Sequence, residues 1–125
     1  MIKTKRIYDP KDDSDGTRIL ITRKWPHGQK KDLFDEWIKD LAPKEDTLNK
    51  WEDSKRTEED WKRYTVLFYP QMKERKSADR VEELRQRSKN GEIITLLCYC
   101  EKGEHCHRYI IKSMIDNSSK VTESD

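Results

Sequence analysis

Residues 92–100, EIITLLCYC, form the most apolar and β-branched run in the chain, bounded by Gly91 and an EKG turn. A run without polar alternation reads as a strand buried on both faces, the habit of a central strand in a helix-covered sheet. The rest of the sequence agrees with such a sheet. KTKRIY, residues 3–8, reads as a short strand entering the turn-rich DPKDDSDG. TRILITRKW, residues 17–25, alternates Arg18, Leu20 and Thr22 with Ile19, Ile21 and Arg23, and Pro26 and Gly28 end it.

Helical spacing dominates the middle. With Asp32 as cap and Pro43 as stop, Leu33, Phe34, Trp37, Ile38 and Leu41 predict a helix, and a weaker one carries Leu48 and Trp51. Thr57 followed by Glu58, Glu59 and Asp60 resembles a capping box ahead of Trp61, Tyr64, Leu67 and Phe68, with Pro70 ending or kinking the helix. Ser77 opens another, with Ala78, Val81 and Leu84 as its stripe and Gly91 at its C-terminal end. A last helix starts near Glu104 and puts Ile110, Ile111, Met114 and Ile115 on one side. The expected class is α/β: one small domain over residues 1–116, with a short, mostly parallel sheet covered by helices and the 92–100 strand central. Residues 117–125 read as a polar, flexible tail.

At 125 residues, one domain is the natural unit. Charged residues make up 42% of the chain and mean hydropathy is -1.19, which approaches disordered composition. The clustering of the apolar residues, four tryptophans among them, favours a folded core instead. The net charge of +2 forces no nucleic-acid partner. The first 31 residues, with nine basic and four acidic side chains, could nevertheless attract an anion. MIKTKRIYDP lacks the apolar stretch of a signal peptide, and no apolar run approaches the roughly 20 residues that span a bilayer, so a cytoplasmic protein without a membrane partner is expected.

LLCYCEKGEHCHR, residues 96–108, holds all three cysteines and two of the three histidines. Cys98 and Cys100 share one strand face at its carboxyl end, where open α/β sheets place ligands. Cys106 falls in the first helical turn, whose dipole favours a thiolate, and His107 falls within the apolar arc that faces the sheet. Four readings compete. Zinc could be held by the three cysteines and His105 or His107, although C-x-C-x5-C matches no standard pair of knuckles. Cys106 could be a nucleophile with a histidine as base, although a phosphatase-type loop would want an arginine where Lys112 stands. The free amides of the 103–106 turn and Arg108 could bind an anion, joined by Arg18 or Arg23. Alternatively, His107 is an ordinary core histidine among incidental thiols. RKWPHGQKK, residues 23–31, interleaves basic and aromatic side chains as a nucleic-acid-binding loop would, or is a solvated loop with Trp25 tucked into the core.

IYDPKDDSDGTRILITRKWPHGQKK, DEWIKDLAP and TLLCYCEKGEHCHR resemble the small YeaO-like proteins (domain-of-unknown-function family 488), across roughly residues 5–115. The resemblance implies a compact cytoplasmic α/β domain with no established reaction. His27 stands where the family pattern has an arginine, which weakens an anion role there. The pattern also includes members that lack the cysteines but keep the histidine matching His107, which argues against an obligatory zinc site.

The expected site therefore joins two distant segments. Asp15, Gly16 and Arg18 of the SDG loop would approach Cys98, Cys106, His107 and Arg108, with Arg23 and Trp25 alongside. Such a pocket would bind a phosphate- or carboxylate-bearing ligand or a nucleic-acid end, with Cys106 or His107 as catalytic group.

Overall fold

The structure, a computed structural model, describes residues 1–25, 33–100 and 105–123. Pro26, His27, Gly28, Lys30, Lys31, the Asp32 cap and the start of the 103–106 turn lie outside the described residues. The protein is a single α/β domain built on four parallel strands: β1 (Ile2–Arg6), β2 (Thr17–Leu20), β3 (Glu36–Trp37) and β4 (Ile94–Cys98). Their order across the sheet is β1-β4-β2-β3, so the run singled out above is an interior strand, with all five residues buried. β4 pairs Ile94 with both Ile2 and Thr17.

Four helices complete the domain: α1 (Glu45–Asp53), α2 (Glu58–Met72), α3 (Arg75–Lys89) and α4 (His107–Glu123). Thr57 caps α2, accepting from the Asp60 amide while the Asp60 carboxylate accepts from the Thr57 amide, so the box predicted from TEED is closed by the aspartate. Pro70 lies inside the last turn of α2 instead of ending it. Gly91 follows the Asn90 C-cap of α3 with φ 98°, a conformation that suits glycine. The final helix runs to Glu123, into the segment read as a polar tail.

The segment 33–41 departs from expectation. It forms the edge strand β3 and a 3-10 turn (Lys39–Leu41), not a helix. Its apolar residues serve two cores, which a single helical stripe cannot do. Leu33, Phe34 and Trp37 pack beside Ile7, Leu20 and Leu97 on one sheet face, while Ile38 and Leu41 join the cluster on the other. β2 fixes this path, because Asp35 and Ile38 donate their amides to the Arg18 and Leu20 carbonyls.

The two faces are covered differently. Ile2, Ile19, Ile21, Ile94 and Leu96 meet α2, α3 and α4 through Tyr64, Phe68, Leu84 and Ile111. The opposite face is closed by the acidic 7–16 connection and the 33–37 segment. Complete burial of each such Leu, Ile or Phe contributes about 1.5–3 kcal/mol. Among the described residues no helix is long and apolar enough to cross a membrane.

Candidate functional site

The site grows from the carboxyl end of β4. Burying β4 on both faces directs Cys98 toward the helices, and the chain then turns through Tyr99 and Cys100 before α4 starts at His107. The two flanks of this turn meet. Cys98 Sγ lies 3.3 Å from Cys106 Sγ and 4.0 Å from Cys100 Sγ, and the three sulfur atoms lie within 4.8 Å of one another. Nδ1 of His107 is 3.8 Å from both Cys98 Sγ and Cys106 Sγ. The other ring nitrogen, Nε2, is 2.7 Å from the Ile21 carbonyl oxygen, which can only accept. Nε2 therefore carries the proton, and the Nδ1 lone pair faces the sulfur atoms.

This arrangement can hold a metal ion. A zinc–sulfur distance of about 2.3 Å places tetrahedral sulfur ligands roughly 3.8 Å apart, close to the spacings found here. A ligating histidine that donates its second N–H to a carbonyl is the usual outer support of such a centre. Soft thiolates together with one imidazole match zinc better than magnesium or calcium.

Electrostatics revise the expectation for Cys106. Hydrogen bonding to Cys100 and Cys98, together with burial, pushes the Cys106 thiol up, whereas hydrogen bonds from Cys100 and Cys106 pull Cys98 well down. The favoured thiolate is Cys98, because Cys106 Sγ donates to it and that contact outweighs the helix start. Burial lowers the His107 pKa, so its imidazole is neutral. Burial and the nearby thiol sulfurs push the Tyr64 hydroxyl up.

Above the cluster lies a cavity of about 440 Å³, within the range of small-molecule sites. Cys98, Cys100, Cys106 and His107 line its floor, Trp51, Trp61, Tyr64 and Tyr99 its walls, and Arg23, Lys24 and Arg56 its rim with Glu52. His105 stacks on Trp61 at 4.7 Å and bonds Glu58 at 2.8 Å, so it joins the wall and not the sulfur cluster.

The structure does not bring the SDG loop here. Asp15, Gly16 and Arg18 lie at the amino-terminal end of the strands, three residues of β4 before Cys98, where Thr95 Oγ1 donates to the Asp15 carbonyl at 2.7 Å. At 3.3 Å per strand residue, roughly 10 Å and the thickness of the sheet separate them from the cysteines. Arg18 is fully buried on the loop-covered face, with Nη1 on Asp15 at 2.5 Å and Nε on the Leu33 carbonyl at 2.7 Å. Burial works against the Asp15 charge, but hydrogen bonds from Lys5, the Asp12 amide and Arg18 prevail and hold its pKa at about 2. Gly16, with φ 63°, sits so close to Ile93 that a Cβ would fall 2.2 Å from its carbonyl oxygen. These residues build the fold. Arg108 is also buried, and its Nη1 braces the Cys100 carbonyl at 2.8 Å instead of pointing into the cavity. Trp25, 42% exposed, meets Phe34 and Trp37 edge-on and belongs to neither floor nor wall. Of the expected site residues, the cavity gathers Cys98, Cys106, His107 and Arg23. Sequence reasoning placed Trp51 and Trp61 on apolar faces and missed the cavity wall they form; the concentration of tryptophan in so charged a chain was the available signal.

A family model described as the active DUF488-N3 subclade matches residues 2–119. The uncharacterized protein YeaO of Escherichia coli (strain K12) is 57% identical over 44 residues, which are 34% of this chain and 38% of YeaO. The uncharacterized protein Rv3073c of Mycobacterium tuberculosis (strain H37Rv) is 40% identical over 52 residues, 40% of this chain and 43% of that protein. The chain thus spans less than half the length of the curated relatives it matches. No solved structure matches.

Proposed function

The chain belongs to the DUF488-N3a family, the active DUF488-N3 subclade, and from the site it carries we propose a zinc-binding α/β domain whose cavity takes a small anionic ligand. Zinc is held by Cys98, Cys100, Cys106 and Nδ1 of His107. One observation carries the reading: the Ile21 carbonyl fixes the His107 tautomer, so that its free lone pair faces two sulfur atoms at 3.8 Å. Any buried histidine would find such a carbonyl for its N–H; what favours a metal is that the remaining lone pair converges with the three-cysteine cluster.

The ligand reading rests on the rim. Arg23, Lys24 and Arg56 outnumber Glu52, and a phosphate or carboxylate entering the cavity meets this positive edge before it reaches the metal-binding floor. With three thiolates and a neutral imidazole as ligands, a bound zinc would make a closed, structural centre at the floor, so attraction of the anion comes from the rim cations, and Arg108 fixes the carbonyl of the Cys100 ligand.

The test is elemental analysis of protein purified without added metal, followed by cobalt substitution. Stoichiometric zinc and a tetrahedral thiolate–cobalt absorption spectrum, both abolished by Cys98→Ser, are expected. Zinc well below one per chain even after incubation with the metal would sink the reading. In that case thiol chemistry takes its place, and the geometry then favours Cys98 as the nucleophile. Cys106 would be the proton donor at 3.3 Å and His107 the neighbouring base. Rapid, selective alkylation of Cys98 at neutral pH would identify that case.

A further inference from the structure

Positive charge does not stop at the rim of the cavity. Arg23 also lines a second, shallower depression of about 420 Å³ together with Lys39, Lys44, Arg75 and Lys76, opposed by Asp40 and Glu74. The two depressions together present seven cations against three carboxylates, a net charge of +4. The whole chain carries only +2, so the remainder of the molecule is net negative. Charge gathered in this way on one tract is the footprint of a polyanion site.

Some of these cations are engaged: Lys44 pairs with Glu74 at 2.8 Å and Arg75 approaches Asp79 at 4.0 Å. Arg23, Lys24 and Lys76 are exposed and make no ion pair among the described residues. Lys39 lies 4.3 Å from the centre of the Trp37 ring, a contact that leaves its charge unneutralised. At the deep end, Trp51 meets Trp61, Tyr64 and His105 at interplanar angles of 62°, 58° and 73°, so among the described residues no aromatic ring stacks on it; the Arg56 guanidinium lies over it at 5.9 Å and would have to share or yield that face to a base. Trp61, by contrast, is stacked by both Tyr64 and His105.

We infer that the two depressions form one track for single-stranded nucleic acid, with a base against Trp51 in the deep cavity and phosphates passing Arg23 toward Lys39 and Lys76. A ring that accepts stacking beside a cationic groove is the combination by which single strands are held without sequence readout. A cavity of this size admits one unstacked base and excludes a duplex. The inference rests on the anion-binding reading of the cavity and extends it from a small ligand to a polymer.

The test uses fluorescence anisotropy of a labelled oligothymidylate of roughly eight nucleotides, and of the matching oligouridylate, titrated with the full chain at stepped salt. Uridine monophosphate binding is measured in parallel by calorimetry. Each phosphate contact contributes a slope of about −0.7 in log K against log salt, so three contacts predict about −2. Replacing both Lys39→Ala and Lys76→Ala, exposed positions that leave folding intact, removes about 1.4 of that slope and leaves uridine monophosphate binding unchanged. Trp51→Leu weakens both ligands. Either strand binding with that slope supports the track, and a preference between the two assigns the sugar. A strand that binds no better than the mononucleotide, or a slope untouched by the double variant, overturns the track while leaving the small-anion reading intact. If neither strand nor mononucleotide binds, both readings fall.

Discussion

Nε2 of His107 donates to the backbone carbonyl of Ile21 across 2.7 Å, joining the first turn of α4 to the end of β2 over 86 residues of sequence. The bond ties the sulfur cluster to the sheet and sets the direction of the free lone pair. Ligand geometry and strand packing are therefore one problem at this position.

Metal should accordingly contribute to stability. With free zinc at 100 times its dissociation constant, binding adds about 2.7 kcal/mol to the native state. Chelator should lower the urea midpoint of zinc-loaded protein, followed by tryptophan fluorescence, and Cys98→Ser should erase the difference. A midpoint indifferent to chelator in the wild type would count against the centre.

The buried pair of Asp15 and Arg18 makes a sharper demand on acid stability. Removing one partner of such a pair costs about 3–5 kcal/mol, so Asp15→Asn is expected to destabilise strongly in urea, and Asp15→Asn with Arg18→Met less than additively. Because the folded pKa is depressed from 3.8 to about 2, the carboxylate stabilises fully above pH 4, and that contribution is lost as pH falls toward 2. The loss amounts to about 2 kcal/mol. Stability curves measured between pH 5 and pH 2 should show this fall in the wild type and lack it in Asp15→Asn.

The two glycines at positive φ should respond unequally to alanine. Gly16→Ala meets the Ile93 carbonyl as well as left-handed strain and should cost at least about 2 kcal/mol. Gly91 has φ 98°, but nothing lies within 4 Å of the point a Cβ would occupy, so Gly91→Ala should cost about 1 kcal/mol. Equal losses in denaturant titrations would contradict the close approach at Gly16.

Arg87 holds the exposed edge of the sheet. Its guanidinium reaches Glu36 at 2.6 Å and Glu92 at 2.6 Å, with Glu83 at 3.3 Å, linking α3 to β3. Glu36 and Glu92 raise its pKa and keep it charged. Arg87→Ala should cost about 1 kcal/mol globally, less at high salt. Faster amide exchange at Trp37 and Ile38 in that variant is the local signature.

Local signals survived into the structure where one stretch decides its own conformation. TEED closes its capping box, and the ITLLC of EIITLLCYC is buried, its one polar residue, Thr95, being satisfied by the Asp15 carbonyl. Residues 33–41 misled because their spacing fits a helix while their side chains divide between two faces of a sheet, a division imposed by Arg18 and Leu20 of another strand. Within the site, the run of cysteines was visible, but C-x-C-x5-C spans the end of a strand and the start of a helix and matches no linear template. The role of Arg18 was misjudged for a related reason. Sequence alternation placed it correctly opposite Ile19, but whether that face held ligand or loop depended on the path of residues 7–16.

The middle strand of the sheet is also the last one to leave the ribosome. β1 and β2 cannot pair with each other, since β4 occupies the place between them, and they wait for a segment about eighty residues downstream. Nascent chains that stop within α3 can pair β2 only with the two-residue β3, leaving β1 without a partner and one edge of β2 open to proteases and to other chains. Assembly of the sheet thus waits for residues 94–98, and the thiol cluster waits a further nine residues, until His107 has followed them.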